Sequence, residues 1–309
     1  MGRYIVRRIL LMIPVFLGVS LVVFFLMDLA PGDIVAFMAP QEATEEEIEQ
    51  LRKELGLDGP LIQRYFRYMG NLLRGDFGMS LSMKQPVIDV FKARFPATAK
   101  LAFGSIIVAM LISVPLGIAA ATHHRSWLDG FSMVTAMLGV SMPSFWLGLL
   151  LIILFALRLG WLPSGGIHGF SSVILPAITL GAGQAGHLTR ITRSSMLEVI
   201  RQDYVRTARA KGVSERVVIY KHALKNALIP IITIFGSTLG NAFGGAVAIE
   251  TVFAWPGVGR LTVFAINHRD IPLATGCIML FTMIMTVTML LVDIAYAYAD
   301  PRIKARYSQ

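Results

Sequence analysis

Charge is scarce in this sequence. Only 15% of its 309 residues are Asp, Glu, Lys or Arg, against about 25% in soluble domains, and its mean hydropathy is +0.65. So few charges cannot cover a water-exposed surface, and most of the surface is expected to face lipid. Cysteine is all but missing: Cys277, alone in an apolar run, excludes an intramolecular disulfide framework. No GxxxxGK[ST] phosphate loop occurs, nor a single Gly-Lys pair, which argues against direct ATP binding. HExxH, CxxC and GxSxG are absent as well. No catalytic residue, metal ligand or cofactor site is therefore nominated. His123 and His124, beside Arg125, read as a polar helix flank, because metal sites recruit further carboxylates or cysteines. The sixteen methionines are scattered through apolar runs and read as packing or lipid-facing residues.

What is abundant is long apolar sequence. Six runs are long enough for a bilayer core, which takes roughly 20 helical residues: Ile9–Leu29, Leu101–Ala121, Phe131–Leu157, Val173–His187, Leu228–Ile249 and Pro272–Tyr296. The fourth, rich in Gly and Ala, is expected to continue past Arg190 and Arg193 towards Met196. Pro14, Pro115, Pro143, Gly117 and Gly139 do not demote these runs, since spanning helices tolerate both residue types. The first run exceeds the h-region of a signal peptide and reads as an uncleaved helix.

Orientation follows from the basic residues of the short loops. With the N-terminus in the cytosol, inside segments hold sixteen Lys or Arg: Arg3, Arg7 and Arg8, Arg125, nine from Arg190 to Lys225, and Arg302, Lys304 and Arg306. Outside loops hold three: Arg158, Arg260 and Arg269. The expected fold is an all-α membrane protein of six spans with both termini inside. This asymmetry accounts for the net charge of +9 without nucleic acid as a partner. The chain divides into a first span (1–29), an extracytoplasmic helical segment (30–97) and a five-helix core (98–309) that carries a cytosolic segment at 200–228.

In the outer segment, Thr44 and Glu47 form a capping box, and that helix is expected to stop near Leu55 with Gly56 at its C-terminal turn. Pro60 suits the first turn of a second helix whose apolar face would carry Ile62, Tyr65, Phe66, Met69, Leu72 and Leu73, ending at Gly75. These helices serve as a lid over the spans, as a receptor surface for an external partner, or both. The last outer loop, Glu250–Asp270, holds a tight turn at Trp255, Pro256, Gly257 and Gly259, followed by Arg260. Trp255 suits an interfacial anchor.

Ionisable residues within the spans are few. Asp28 lies at the outer end of the first, and Asp293, near the inner end of the last, reads as the partner of a cytosolic-side cation rather than a proton relay. A proton-coupled carrier would place several such groups at mid-membrane. The chain thus lacks an energy source of its own, which directs attention to Tyr204–Pro230, YVRTARAKGVSERVVIYKHALKNALIP. Tyr204–Lys211 reads as a helix, Gly212 as a turn, and Ser214 as the cap of a second helix with Glu215 in its first turn. Such a knob is a docking surface for another protein or, alternatively, a basic element on anionic headgroups.

This segment resembles the cytosolic coupling motif of integral-membrane permeases from binding-protein-dependent ABC importers. In the general form, Glu-Ala-Ala precedes the Gly and Ile-x-Leu-Pro follows it. Here only Ala208 and Leu224 match that form, whereas Arg206 to Gly212, His222 to Ala227 and Pro230 resemble the peptide and nickel branch, the dipeptide/oligopeptide permeases. Matching features extend along the chain: Pro31-Gly32-Asp33, Leu55 to Leu61, Gly75 to Gly78, Ser141-Met142-Pro143, Ile174-Leu175-Pro176, Glu250 to Phe253, Trp255 to Arg260, and Asp300-Pro301-Arg302. The resemblance implies a non-catalytic subunit in a bacterial or archaeal cytoplasmic membrane. It would pair with a second homologous permease, receive one of two ATPase subunits, and take cargo from an extracytoplasmic solute-binding protein. Tyr204, Arg206, Thr207, Ala208, Ala210, Lys211, Gly212, Val213 and Ser214 would meet the ATPase. Peptides are the expected cargo, with nickel or a metal chelate as the alternative. An ion-coupled carrier or a non-transporting scaffold would be the competing classes.

Overall fold

Backbone inside a bilayer has no water to bond to and must satisfy itself, which favours helices. The computed structural model describes residues 2–29, 44–54 and 58–299. Among them the only β pairing is an isolated bridge between Met79 and Pro86. Twelve helices carry the described chain. Helix α1 spans Gly2–Asp28, α2 Glu45–Glu54 and α3 Leu61–Leu73. Then come α4 (Val87–Thr122), α5 (Trp127–Ser141) and α6 (Ser144–Leu151), which runs on as a π-helical stretch to Arg158. Helix α7 covers Ser171–Ile200, α8 Asp203–Ala210 and α9 Glu215–Val217. A π-helical stretch, Val218–Ala223, joins α9 to α10, Leu224–Val252. The last two are α11 (Val258–Asn267) and α12 (Ile271–Ala299).

Three of these helices are long and apolar enough to cross a membrane: α1 (through Ile9–Leu26), α4 and α12 (through Ile271–Val292). Helices α7 and α10, of 30 and 29 residues, rise about 45 Å, which also exceeds the thickness of a bilayer core. The run Phe131–Leu157, expected as one straight span, is instead two helices, α5 and α6, bent by 101°. The cause is Pro143. It cannot donate a helical N–H, and it holds Met142 extended at ψ 128°. Helix α4 also departs from expectation, beginning at Val87 rather than near Leu101 because Val87, Val90 and Phe91 are buried.

The capping box at Thr44 is formed. The Thr44 N–H donates to Glu47 Oε2 at 2.8 Å, and the Glu47 N–H to Thr44 Oγ1 at 3.4 Å. Gly75, at φ +82°, ends α3 as expected: its N–H donates to the Leu72 carbonyl and that of Asp76 to Asn71, both at 3.0 Å. The expected stop at Leu55–Gly56, the Pro31-Gly32-Asp33 turn, the Asp300-Pro301-Arg302 end, and the side chains of Asp28 and Asp293 lie outside the described residues.

The chain forms two compact units. One comprises Met1–Arg8, Arg94–Arg260 and Met285–Gln309; the other comprises Ile9–Ala93 and Leu261–Ile284. In the first, α7 is central and packs on α5, α6 and α10. Backbones come close there: a Cβ on Gly186 of α7 would strike the Ala136 carbonyl oxygen and Val140 of α5, the small-residue contact common between membrane helices. In the second unit, α3 lies against α1, with Ser20 Oγ and the Tyr65 hydroxyl 2.9 Å apart. Phe24 packs edge-on against Tyr65 (ring centroids 5.5 Å) and beside Tyr68 (5.6 Å). The Ser80 hydroxyl and Ser82 N–H both donate to Asp270, at 2.6 and 2.9 Å, and Asp270 accepts the Leu273 N–H at the start of α12.

Candidate functional site

Two arrays of predicted residues belong to the first unit. The first is a helix hairpin between α7 and α10. Helix α8 opens one residue before Tyr204 and closes at Ala210. Gly212, at φ +75°, then takes the left-handed conformation that side chains resist. Its N–H donates to the Arg209 carbonyl at 2.9 Å, and the Val213 N–H to Ala208 at 3.3 Å. This is the paired C-terminal closure known as a Schellman motif, completed by its usual apolar contact: Val213 packs on Val205, Ala208 and Val218. A second core cluster beneath it joins Ile118, Ala121, Met196, Ile219, Ala223 and Ala227. The hairpin is thus seated on packed helices.

Arg209 and Glu215 clasp the turn from either side. Arg209 donates to both carboxylate oxygens, at 2.7 and 3.1 Å. That bond holds the Glu215 carboxyl below its ordinary range and raises Arg209. Asn226 Nδ2 donates to the Tyr204 hydroxyl at 2.9 Å, tying α8 to α10. Ser214 stands at the N-cap, but its side chain makes no capping bond; the clasp on Glu215 does the bracing instead.

Of the nine residues expected to face a partner, Tyr204, Arg206, Thr207, Ala210, Lys211, Gly212 and Ser214 are exposed, and Val213 is half-buried. Ala208 turns inward with Val205 and packs the hairpin. From Glu215 onward the helical path runs through the π-helical stretch into α10 without a break.

The second array is the turn after α10. Glu250 is fully buried. Its Oε1 accepts the Thr98 hydroxyl at 2.6 Å and its Oε2 the Arg260 N–H at 3.0 Å. Thr98 Oγ1 in turn accepts the Val258 N–H at 2.8 Å. A Cβ on Gly257 would strike the Glu250 carboxylate, and one on Gly259 would come within 2.9 Å of it, so both glycines make room for the acid. The expectation that Trp255 anchors at an interface is overturned. Trp255 is 1% exposed, and its Nε1 donates to the Ala97 carbonyl at 2.8 Å. Buried Trp seeks such a partner, and the turn folds its indole onto the body of the unit. Pro256 is half-buried, and the exposed Arg260 reaches back to the Ala254 carbonyl at 2.6 Å.

Sequence reasoning missed Thr98 and Ala97 as the receivers of this turn. It also missed the role of His124 and of a first-turn acid on α5. Arg193 of α7 donates to both oxygens of the nearly buried Asp129, at 2.7 and 2.8 Å, and the Arg125 N–H adds a third bond at 3.0 Å. His124 Nδ1 lies 3.3 Å from Asp129 and 3.1 Å from Arg193. His124 therefore belongs to a cross-helix cluster, where a helix flank was expected. The signal in the sequence was Asp129, the one charged residue of α5.

Residues 113–305 match the family described as binding-protein-dependent transport system inner membrane component, and residues 1–102 match the N-terminal membrane-component family of such systems. The chain is 42% identical over 304 residues to the glutathione transport system permease protein GsiC of Escherichia coli (strain K12), covering 98% of this chain and 99% of that protein. The same figures hold for GsiC of Shigella dysenteriae serotype 1 (strain Sd197). Among solved structures, the inward-facing MetNI methionine ABC transporter superposes with a TM-score of 0.60 at 17% identity, over 72% of this chain and all of that one. An amino acid ABC transporter gives 0.51 at 14% identity, over 70% and 94%. At these identities the two structures speak for the fold alone.

Proposed function

Because the chain belongs to the family of inner-membrane components of binding-protein-dependent transport systems, as a permease subunit of an ABC importer, we propose that it forms half of an ATP-driven path for di- or oligopeptides. The peptide reading draws on the glutathione permeases that it resembles along nearly its whole length. Six spans with both termini in the cytosol fit the sixteen-to-three asymmetry of basic residues. In that count, α5 and α6 together make the third, broken span, and α7 and α10 make the fourth and fifth.

The observation that carries the coupling role is the hairpin closed by Gly212. It presents Tyr204, Arg206, Thr207, Ala210 and Lys211 outward, while Val205, Ala208 and Val218 lock it to the body. An ATPase subunit grips this knob. Because the helix from Glu215 continues into α10, a push on the hairpin is delivered to the fifth span as rigid-body motion. A second homologous permease completes the path, and a solute-binding protein delivers cargo from outside.

The experiment is recovery of the chain from native membranes with its partners, followed by reconstitution of the complex in liposomes. Co-recovery of ATPase subunits and a second permease is expected, with ATP hydrolysis stimulated by the binding protein loaded with a dipeptide or glutathione. A chain recovered alone, carrying out uptake without any ATPase, would overturn the reading.

A further inference from the structure

The apolar face expected on α3 is divided. Tyr65, Met69 and Leu72 turn into the second unit, and Met69 and Leu72 are buried there. Ile62, Phe66 and Leu73 are 65%, 68% and 79% exposed. At 100° per residue these three fall within about 40° of one another, beside the packed face. Gln63, Arg67 and Asn71 occupy the opposite side, where Arg67 pairs with Asp58 at 2.7 Å. A helix with one apolar sector packed, a second left bare, and a polar sector opposite is built for three environments at once.

Its contacts on α1 fix its depth. Phe24 touches both Tyr65 and Tyr68 and lies four residues, or about 6 Å of rise, inside the Asp28 end of α1. The Tyr65 hydroxyl reaches deeper still, to Ser20. Helices that lie in a membrane interface bury their apolar face about 5–10 Å below the headgroups. At this level α1 is itself bare, with Leu21, Val22 and Leu26 47%, 54% and 61% exposed, so the apolar face of α3 continues the girdle of a spanning helix. We propose that α3 is an interfacial membrane helix, with Ile62, Phe66 and Leu73 inserted among the acyl chains of the leaflet at the Asp28 end of α1 and Arg67 and Asn71 at headgroup level. The surface left for a soluble partner is then the polar side of α3.

The inference rests on α1 spanning the membrane, and the test separates the two. The assembled transporter in liposomes, spin-labelled at Ile62→Cys, Phe66→Cys, Asn71→Cys or Leu26→Cys, is measured for collision with oxygen, which partitions into lipid, and with a water-soluble nickel chelate. Cys277 is buried and leaves the labelling specific. Labels at positions 62 and 66 are expected to favour oxygen over the nickel chelate several-fold, as at position 26, with the preference reversed at position 71. Nickel preference at 62 and 66 would mark a water-exposed receptor face, and access by neither reagent would mark a face covered by protein. Either result overturns the proposal while oxygen preference at position 26 keeps α1 in the membrane. Loss of that preference at position 26 would instead remove the span on which the proposal stands.

Discussion

Arg209 and Glu215 meet across the Gly212 turn as a two-pronged ion pair, at 2.7 and 3.1 Å. The pair closes the hairpin electrostatically where Val213 closes it by packing. Arg209 lowers the carboxyl pKa of Glu215. A lowered carboxyl contributes stability above its unfolded value, about 4.3 for Glu, and loses it as pH falls through the folded value. The hairpin is therefore expected to hold unchanged from pH 8 to pH 6 and to loosen only in acid below the usual carboxylate range. Spin-label mobility at Lys211→Cys reads this directly; a change centred near neutrality would assign the turn to another group. Being exposed, the pair contributes only about 0.2–1 kcal/mol, so Glu215→Gln should weaken the turn without unfolding it.

Gly212 carries the larger share. Nothing lies within 4 Å of a Cβ placed there, so the cost of a side chain is the left-handed backbone alone, roughly 1–2 kcal/mol for most residues. Asn, which visits that region with less strain, should retain most uptake. A β-branched Val should abolish transport while membrane insertion persists. Uptake assays paired with quantification of the inserted protein check this, and normal uptake by Gly212→Val would sink the coupling role of the hairpin.

The hairpin was legible in the sequence because its signals are local: a Gly at the end of a helix-forming run, a Ser-Glu start after it, and a continuous path into the next span. The capping box at Thr44 was legible for the same reason. Trp255 was not, since its fate depends on the Ala97 carbonyl, 158 residues away. Nor was the break at Met142–Pro143. Pro14, Pro96, Pro115, Pro176 and Pro230 all sit inside continuous helices, and no local rule distinguishes Pro143 from them. The apolar face of α3 was visible as a pattern, but its division between packed and bare halves depends on where α1 runs.

The buried carboxylate of Glu250 makes a second set of outcomes predictable. Glu250→Ala strands the Thr98 hydroxyl and the Arg260 N–H in an apolar surround, at about 1–3 kcal/mol for each orphaned group. Glu250→Gln fits the space but turns an amide N–H₂ towards one donor, so it should lose part of the network. Thr98→Val removes a donor to Glu250 and the acceptor of the Val258 N–H together, whereas Thr98→Ser keeps both. The expected order of thermal stability of the purified complex is wild type, then Thr98→Ser, then Thr98→Val. Equal stability of Thr98→Val and wild type would show that the turn is held by Trp255 and packing alone.

Asp129 and Arg193 join the first turn of α5 to α7, and the consequences of breaking the pair are asymmetric. Asp129 is 6% exposed. Arg193→Ala leaves its charge with only the Arg125 N–H and His124 for company, and stripping one partner from a buried pair costs about 3–5 kcal/mol. Arg193 sits nearer the surface, with a quarter of its side chain exposed, so the cost should fall towards the lower end of that range. Arg193→Lys keeps the charge but not the fork that serves both oxygens, and should lie between Arg193→Ala and wild type. The double variant Asp129→Asn, Arg193→Gln removes the stranded charge and should recover part of what Arg193→Ala loses, because a neutral pair pays less for burial than a lone carboxylate. Thermal denaturation of the four proteins in one detergent tests the order. If the double variant were no more stable than Arg193→Ala, a stranded Asp129 carboxylate would not be the source of the loss, whereas the gap between the double variant and wild type reads the net contribution of the ion pair to the α5–α7 contact.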